Sequence, residues 1–196
     1  MTVTYFKRFR MQCDLRQHAQ AESSNSKSSE TTASSLPNGY ALEPWDNRLL
    51  KDHANAKYQS FKNELDSNVF PCLANEDDCL KLMNEISCRQ GFIPEATWLV
   101  TKTESDGTIL NCGTVQGIRN QVEVGSIQNL GIAPEHRGSG LGSALLSASL
   151  AGFHSVGIKF VTLEVTSHNL GAIRLYEPLG FQVVRTVYKS ADLTYS

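Results

Sequence analysis

The sequence predicts a mixed α/β (α+β) fold, a mostly antiparallel central sheet flanked by helices. Two observations lead there. The strand-like runs ATWLVTKT (96–103), TILNCGTVQGI (108–118) and VEVGSIQNLGI (122–132) follow one another across short polar gaps, as antiparallel neighbours do. Beyond them a helix, a strand, a helix and a strand alternate toward the C-terminus, which places helices on the faces of the same sheet.

Each element has a local reason. Tyr40 to Leu42 reads as a short strand. Asp46 can cap a helix over 47–65, and a second helix over 75–88 sets Glu76, Asp77 and Asp78 at its positive end. Asp106 and Gly107 make a hairpin turn between the first two long strands. In SALLSASLAGFHSV (143–156), Leu145, Leu146, Leu150 and Phe153 recur near helical spacing, and Gly157 suits the position after the helix end. FVTLEV (160–165) is β-branched and reads as a strand. NLGAIRLYEPLG (169–180) is a short helix stopped around Pro178 and Gly180, after which FQVVRTVYKS returns as the last strand.

The N-terminal part reads differently. The first nineteen residues carry four Arg or Lys against one Asp, with no apolar run to make a secretory signal. They fit a disordered or weakly helical extension, or a mitochondrial-type presequence. Residues 22–38, ESSNSKSSETTASSLPN, hold seven serines and two threonines and too little apolar surface to offset the entropy of ordering. Residues 1–38 are therefore expected to be an extension, basic and then Ser-rich, with the folded domain at 39–196.

A net charge of −2 excludes general electrostatic capture of nucleic acid or an anionic membrane, and no apolar run is long enough to span a bilayer. Five cysteines (Cys13, Cys72, Cys79, Cys88, Cys112) with no CxxC pair suggest free thiols rather than disulfides or a zinc site. We expect a cytoplasmic protein, monomeric or homodimeric, with neither nucleic acid nor membrane as partner and no metal.

HRGSGLG (136–142) places three glycines at the join between a strand and a helix. The first four amides of a helix lack intrahelical partners and point outward at the positive end of its dipole, a natural anion site. Gly138, Gly140 and Gly142 remove the Cβ atoms that would hold a ligand off those amides, and Ser143 can add a hydroxyl. The constellation suits a pyrophosphate. A P-loop would need a Lys after the glycines, and a dinucleotide fingerprint would need GxGxxG with an acidic residue at the end of the next strand; here the spacing is GxGxG and Glu164 lies inside that strand.

IAPEHRGSGLGSALL resembles the acetyl-CoA loop of GNAT-type N-acetyltransferases, whose pattern is [RQ]xxGx[GA]; Arg137, Gly140 and Gly142 fill it. A second motif of that family, N-x-x-A-x-x-x-Y-x-x-x-G-F, matches at Asn169, Ala172, Tyr176, Gly180 and Phe181. The resemblance covers about residues 96–189. It implies a sheet splayed at a bulged central strand, with Gly131 a candidate for the bulge. It also implies backbone groups at Leu130 and Ile132 that pair with pantetheine. The turn Arg137, Gly138, Ser139, Gly140, Leu141, Gly142 and Ser143 would hold the pyrophosphate, and Asn169 would bond the cofactor arm. Tyr176 would be the acid that protonates the departing thiolate; a phenol and a thiol are close enough in proton affinity for that.

The general base is less defined. Many relatives place a Glu in the central strand where this chain carries Gln128. Glu123 and Glu164 are the candidate carboxylates, and a base acting through water, or none, stays open. His136 and His168 flank the motifs and can titrate near neutrality, although turn histidines are commonly bystanders. For the acceptor, KYQSFKNELDSNVFP (57–71) offers Glu64 and Asp66 beside Tyr58, Phe61 and Phe70, a set that can receive an ammonium group or simply form an amphipathic helix and loop. The expected activity is transfer of an acetyl group from acetyl-CoA, as co-substrate, to a primary amine. The alternatives are a CoA-binding sensor with little turnover and a mononucleotide-binding domain.

Overall fold

The computed structural model describes residues 3–17, 36–64, 67 and 69–192. Its strands are β1 (Val3–Asp14), β2 (Tyr40–Pro44), β3 (Phe92–Thr103), β4 (Ile109–Gln121), β5 (Val124–Ile132), β6 (Phe160–Thr166) and β7 (Gln182–Asp192). Its helices are α1 (Leu50–Phe61), α2 (Glu76–Ser87), α3 (Leu141–Ser155) and α4 (Leu170–Tyr176). All seven strands form one sheet in the order β2-β3-β4-β5-β6-β1-β7, antiparallel throughout except for the β5–β6 pair. The mixed, mostly antiparallel architecture expected from the sequence is what the chain forms.

The caps agree with their sequence signals. Asn75 accepts from the Asp78 amide at the start of α2, whose first turn is acidic. Asp46 caps a short 3-10 turn, Asn47–Leu49, and the α-helix begins only after it. Gly107 and Gly157 take the left-handed conformation their turn and helix-end positions require.

Alternation along β4 sorts the two layers. Val115 and Gly117 face α3, whose Leu145, Leu146 and Phe153 are buried in the main core. Thr114, Gln116 and Ile118 face the other way, toward α1 and α2, where Ala54, Met83 and Ile86 pack.

The N-terminal segment is a correction. Residues 3–14 are a strand inside the sheet rather than an extension outside the domain. β1 pairs with β6 from Arg8↔Thr166 to Asp14↔Phe160 and with β7 on its other edge. Met11 and Cys13 belong to the main core, which no removable presequence could supply. The basic residues conceal an alternation of period two, with Tyr5, Phe9, Met11 and Cys13 on one face and Arg8 and Arg10 on the other. The Ser-rich stretch falls largely outside the described residues; it joins β1 to β2 at the far edge of the same sheet, so it connects parts of one domain.

Two irregularities open the sheet. Thr114 pairs with Gly131 and Gln116 with Gln128, so β5 carries one extra residue between those pairs. Asn129 sits in that bulge with φ +50°, the one non-glycine among the described residues with positive φ. Gly131, the sequence candidate for the bulge, has another reason to be glycine. A Cβ there would lie 2.7 Å from the Ser60 Cβ and 2.7 Å from the Phe61 ring, so the bare backbone lets α1 cross β5. Meanwhile β5 and β6 pair only over Val124–Ser126 and Phe160–Thr162 and then part company.

Candidate functional site

Two clefts flank the place where β5 leaves β6, and Phe61, Leu130, Asn169, Ala172 and Tyr176 line both. The smaller, about 480 Å³, is walled by the glycine turn and the start of α3. Gly138 (φ +77°) and Gly140 (φ +79°) hold left-handed conformations in open space, so backbone geometry, not crowding, demands glycine there. At Gly142 the reason is different: an added Cβ would come 3.2 Å from Leu175, where α3 leans on α4. Gly140 caps α3 without a side-chain acceptor, so the first-turn amides of a fifteen-residue helix face this cleft, with Leu141, Gly142 and Ser143 on its wall. That cradle fits a pyrophosphate.

Arg137 behaves as a fastener. Its Nε donates to the Ile132 carbonyl at 2.9 Å, its Nη2 to the Ser60 carbonyl at 3.1 Å, and its Nη1 pairs with Glu64 at 2.7 Å. The turn is thus tied to the ends of both β5 and α1. The same contact occupies the Ile132 carbonyl, leaving Leu130, at the bulge, as the strand position that faces both clefts. Ser139 Oγ donates to the His136 carbonyl at 3.0 Å, a bond internal to the turn. His136 is held by the Tyr40 hydroxyl at 2.8 Å from its Nδ1.

Across from the turn, Asn169 Oδ1 accepts from the Ala172 amide at 3.0 Å and so caps α4. Tyr176 ends the same helix, buried, its ring 5.9 Å from that of Phe181. Seven residues apart, they stand on one face of α4 and both reach the junction of the clefts.

The larger cleft, about 630 Å³, runs between β5, β6, β1 and α2. Glu164 lines it but is committed: Arg10 bonds one carboxylate oxygen at 2.8 Å, and Arg8 Nε lies 3.9 Å from the other. Glu123 is in neither cleft; it lies exposed in the β4–β5 turn, paired with Lys159. Gln128 lines the cleft and donates to Ser126 Oγ at 3.1 Å. Glu64 faces the smaller cleft, occupied by Arg137, whereas Phe70 lines the larger; Asp66 lies outside the described residues. His168 is an exposed turn residue and is in neither lining.

Between α1 and β4 lies a polar group that the sequence did not announce. His53 and Lys57, one turn apart on α1, are fully buried. His53 Nδ1 meets Thr114 Oγ1 at 2.7 Å, and Gln116 Nε2 donates to the same oxygen at 2.6 Å. Among the described residues Lys57 Nζ, His53 Nε2 and Gln116 Oε1 have no hydrogen-bond partner. Burial pulls Lys57 down to about 7; burial, with Lys57 adding to it, pulls His53 down to about 3. Burial acts on three thiols as well, pushing Cys13, Cys79 and Cys112 up to about 11. All five cysteines are free, and among the described residues no cluster of His, Cys, Asp or Glu is arranged to hold a metal. No helix among them is long and apolar enough to cross a membrane.

Residues 51–181 match the profile of the acetyltransferase (GNAT) family. The chain belongs to that family. Among GNAT proteins of known structure, a GCN5-related N-acetyltransferase from Sphaerobacter thermophilus superposes with a TM-score of 0.62 over 94% of this chain and 50% of that one, at 22% identity. The ribosomal-protein-S18-alanine N-acetyltransferase from Escherichia coli gives 0.56 over 80% of this chain and 96% of its own, at 15% identity. These likenesses concern the fold. In sequence, a mycothiol acetyltransferase from Nocardiopsis dassonvillei is 37% identical over 95 residues, 48% of this chain and 26% of the relative. One from Thermobispora bispora is 48% identical over 58 residues, 30% of this chain and 20% of the relative. The matched stretch therefore spans about a quarter or less of those relatives.

Proposed function

We propose that the protein transfers an acetyl group from acetyl-CoA to a primary amine by direct attack of the amine on the thioester. The observation that carries this reading is the meeting of two clefts at Leu130 and Tyr176, one walled by open helix amides and the other by side chains. Bound acetyl-CoA supplies an activated acetyl group. The amides of 138–143 hold its pyrophosphate, the bulged backbone at Leu130 receives the pantetheine arm, and the amide nitrogen of Asn169, whose oxygen is engaged in the α4 cap, faces the same arm. The Tyr176 hydroxyl hands its proton to the departing sulfur as the new N–C bond forms and the C–S bond breaks, and the proton shed by the attacking nitrogen passes through water to restore the phenol. The setting is cytoplasmic, in keeping with five free thiols.

One observation favours a second reading, a CoA-binding regulatory module with little turnover. Among the described residues no uncommitted carboxylate lines the junction: Gln128 stands in place of an acid, Glu123 is elsewhere and Glu164 is bound to Arg10. Thiol release from acetyl-CoA over a panel of primary amines separates the two. Steady release with at least one amine supports the enzyme; stabilisation by CoA with no release over the whole panel supports the module. Stabilisation by ATP or NAD and not by acetyl-CoA would remove both.

A further inference from the structure

The turn that walls the smaller cleft carries a histidine that the transfer chemistry above does not use. His136 ends the short turn Pro134–His136, just before the glycines, and lines the cleft beside Arg137 and Gly138. Histidine is the side chain whose charge changes most readily near neutral pH. Its Nδ1 lies 2.8 Å from the Tyr40 hydroxyl, and the two rings meet edge to face with centroids 5.7 Å apart. Tyr40 is itself set by the β2–β3 register, opposite Lys102. With Nδ1 engaged, Nε2 is the ring nitrogen left to meet a ligand. A phenol hydroxyl donates to a neutral imidazole and accepts from an imidazolium, so this bond can hold the ring in either charge state.

Charges reach the ring from several elements. Arg137, next in the chain, is paired with Glu64 at 2.7 Å. Lys102, its Nζ 5.7 Å from the centre of the Tyr40 ring, is paired with Glu104 at 2.8 Å. Glu135, just before His136, is exposed. From α3 and α4 the cleft receives Leu141, Ser143, Ala172, Leu175 and Tyr176, of which Tyr176 alone titrates, and a phenol already holds its proton at neutral pH. Acetyl-CoA would bring phosphate charge against this wall. An anion beside an imidazole favours the charged ring, and an imidazolium N–H is a stronger donor to a phosphate oxygen than a neutral one. The backbone amides of the cradle cannot gain a proton; the imidazole can.

We propose that His136 is a ligand to a phosphate of acetyl-CoA, and that the cofactor binds together with a proton taken up by this imidazole. This rests on the acetyl-CoA reading above. Binding that takes up a proton weakens as pH rises, through the range in which the ring is charged in the complex and neutral in the free protein. Cofactor affinity is thereby tied to pH at a residue apart from the transfer step.

Titration calorimetry of the full chain tests it. Acetyl-CoA is bound at pH 7 in buffers of different ionisation enthalpy, and the slope counts the protons exchanged. His136→Gln is the reference, because proton changes on the ligand's own phosphates and on other residues persist in it. The native chain should take up at least about 0.3 proton more than the variant. Between pH 6 and pH 8 its affinity should fall at least about threefold more than that of the variant. Dephospho-CoA, which keeps the pyrophosphate and lacks the titrating 3′-phosphate, separates the two sources of anion. Uptake with both ligands assigns the pyrophosphate, and uptake with acetyl-CoA alone assigns the 3′-phosphate. Equal proton exchange in the native chain and His136→Gln, or no uptake by the native chain with either ligand, overturns the proposal and leaves acetyl-CoA binding standing. Failure of acetyl-CoA to bind at all removes the reading on which it rests.

Discussion

The two clefts are built from different materials. The smaller is backbone: left-handed glycines, the open amides of α3 and a bulged strand, with Arg137 fastening the turn from behind. The larger is side chain: the Arg8 guanidinium from β1 and the Lys189 ammonium from β7 meet at Phe70, and Arg10, Arg89 and Glu164 line other parts of it. A backbone cradle serves a ligand part that never varies, because amides cannot be exchanged by mutation. A side-chain wall can be retuned one residue at a time. On the proposed acetyl transfer, that division gives the constant substrate to one cleft and the variable one to the other.

The sharpest way to break that division is at the shared wall. Tyr176→Phe should lower kcat about a hundredfold while acetyl-CoA affinity stays within about threefold, as expected for loss of a general acid. Equal kcat would remove Tyr176 as the proton donor, and equal losses in kcat and affinity would make it a packing residue.

A stability measurement probes the buried face of α1, the helix whose end reaches both clefts at Phe61. Lys57 is unpartnered and held near 7, against 10.5 when free. Between those values the unfolded chain binds the proton and the folded chain does not, so stability should rise as pH climbs from about 7 toward 10. Below about 7 the full cost is present. Lys57→Met should flatten that rise and stabilise the protein at neutral pH, on the order of 2 kcal/mol or more; urea unfolding at pH 7 and pH 9 checks both, and an unchanged slope would mean that the amine is solvated.

Gly140→Val tests the backbone cradle. A β-branched residue at φ +79° carries about 1–3 kcal/mol of strain, and acetyl-CoA affinity by calorimetry should fall at least tenfold. Unchanged affinity would detach the pyrophosphate from this turn. Gly131→Ala is the mildest. The crowding against Ser60 and Phe61 should cost about 1–2 kcal/mol of stability, and a shift of α1 should raise the KM for both substrates, whereas an effect on only one would assign the α1 crossing to that cleft alone.

What could be read from the sequence follows the same division. The glycine turn, the caps at Asn75 and Asn169 and the α4 face with Asn169 and Tyr176 each depend on residues within a turn or two of one another. Local chemistry suffices for those. The larger cleft joins Arg8 to Glu164 and Lys189, partners that only tertiary pairing brings together. The period-two alternation of residues 5–13 was available as a signal for β1, but four cations and the Ser-rich sequel outweighed it on composition. Asn129 left no mark because the bulge is forced by register with β4, while Gly131 nearby offered a more familiar explanation.

β1 lies between β6 and β7, the last two strands of this sheet in sequence order, with Arg8 bonded to Thr166 across 158 residues. On the ribosome it emerges before every other strand of this sheet, and its two partners emerge after them. Both edges of β1, with the apolar face that holds Met11 and Cys13, must wait until β2 to β5 have been made before they are covered. Closing so long a loop is slow. Lys7, Arg8 and Arg10 then have a second service during that interval, since a cationic strand resists pairing with another copy of itself while its own neighbours are still being made.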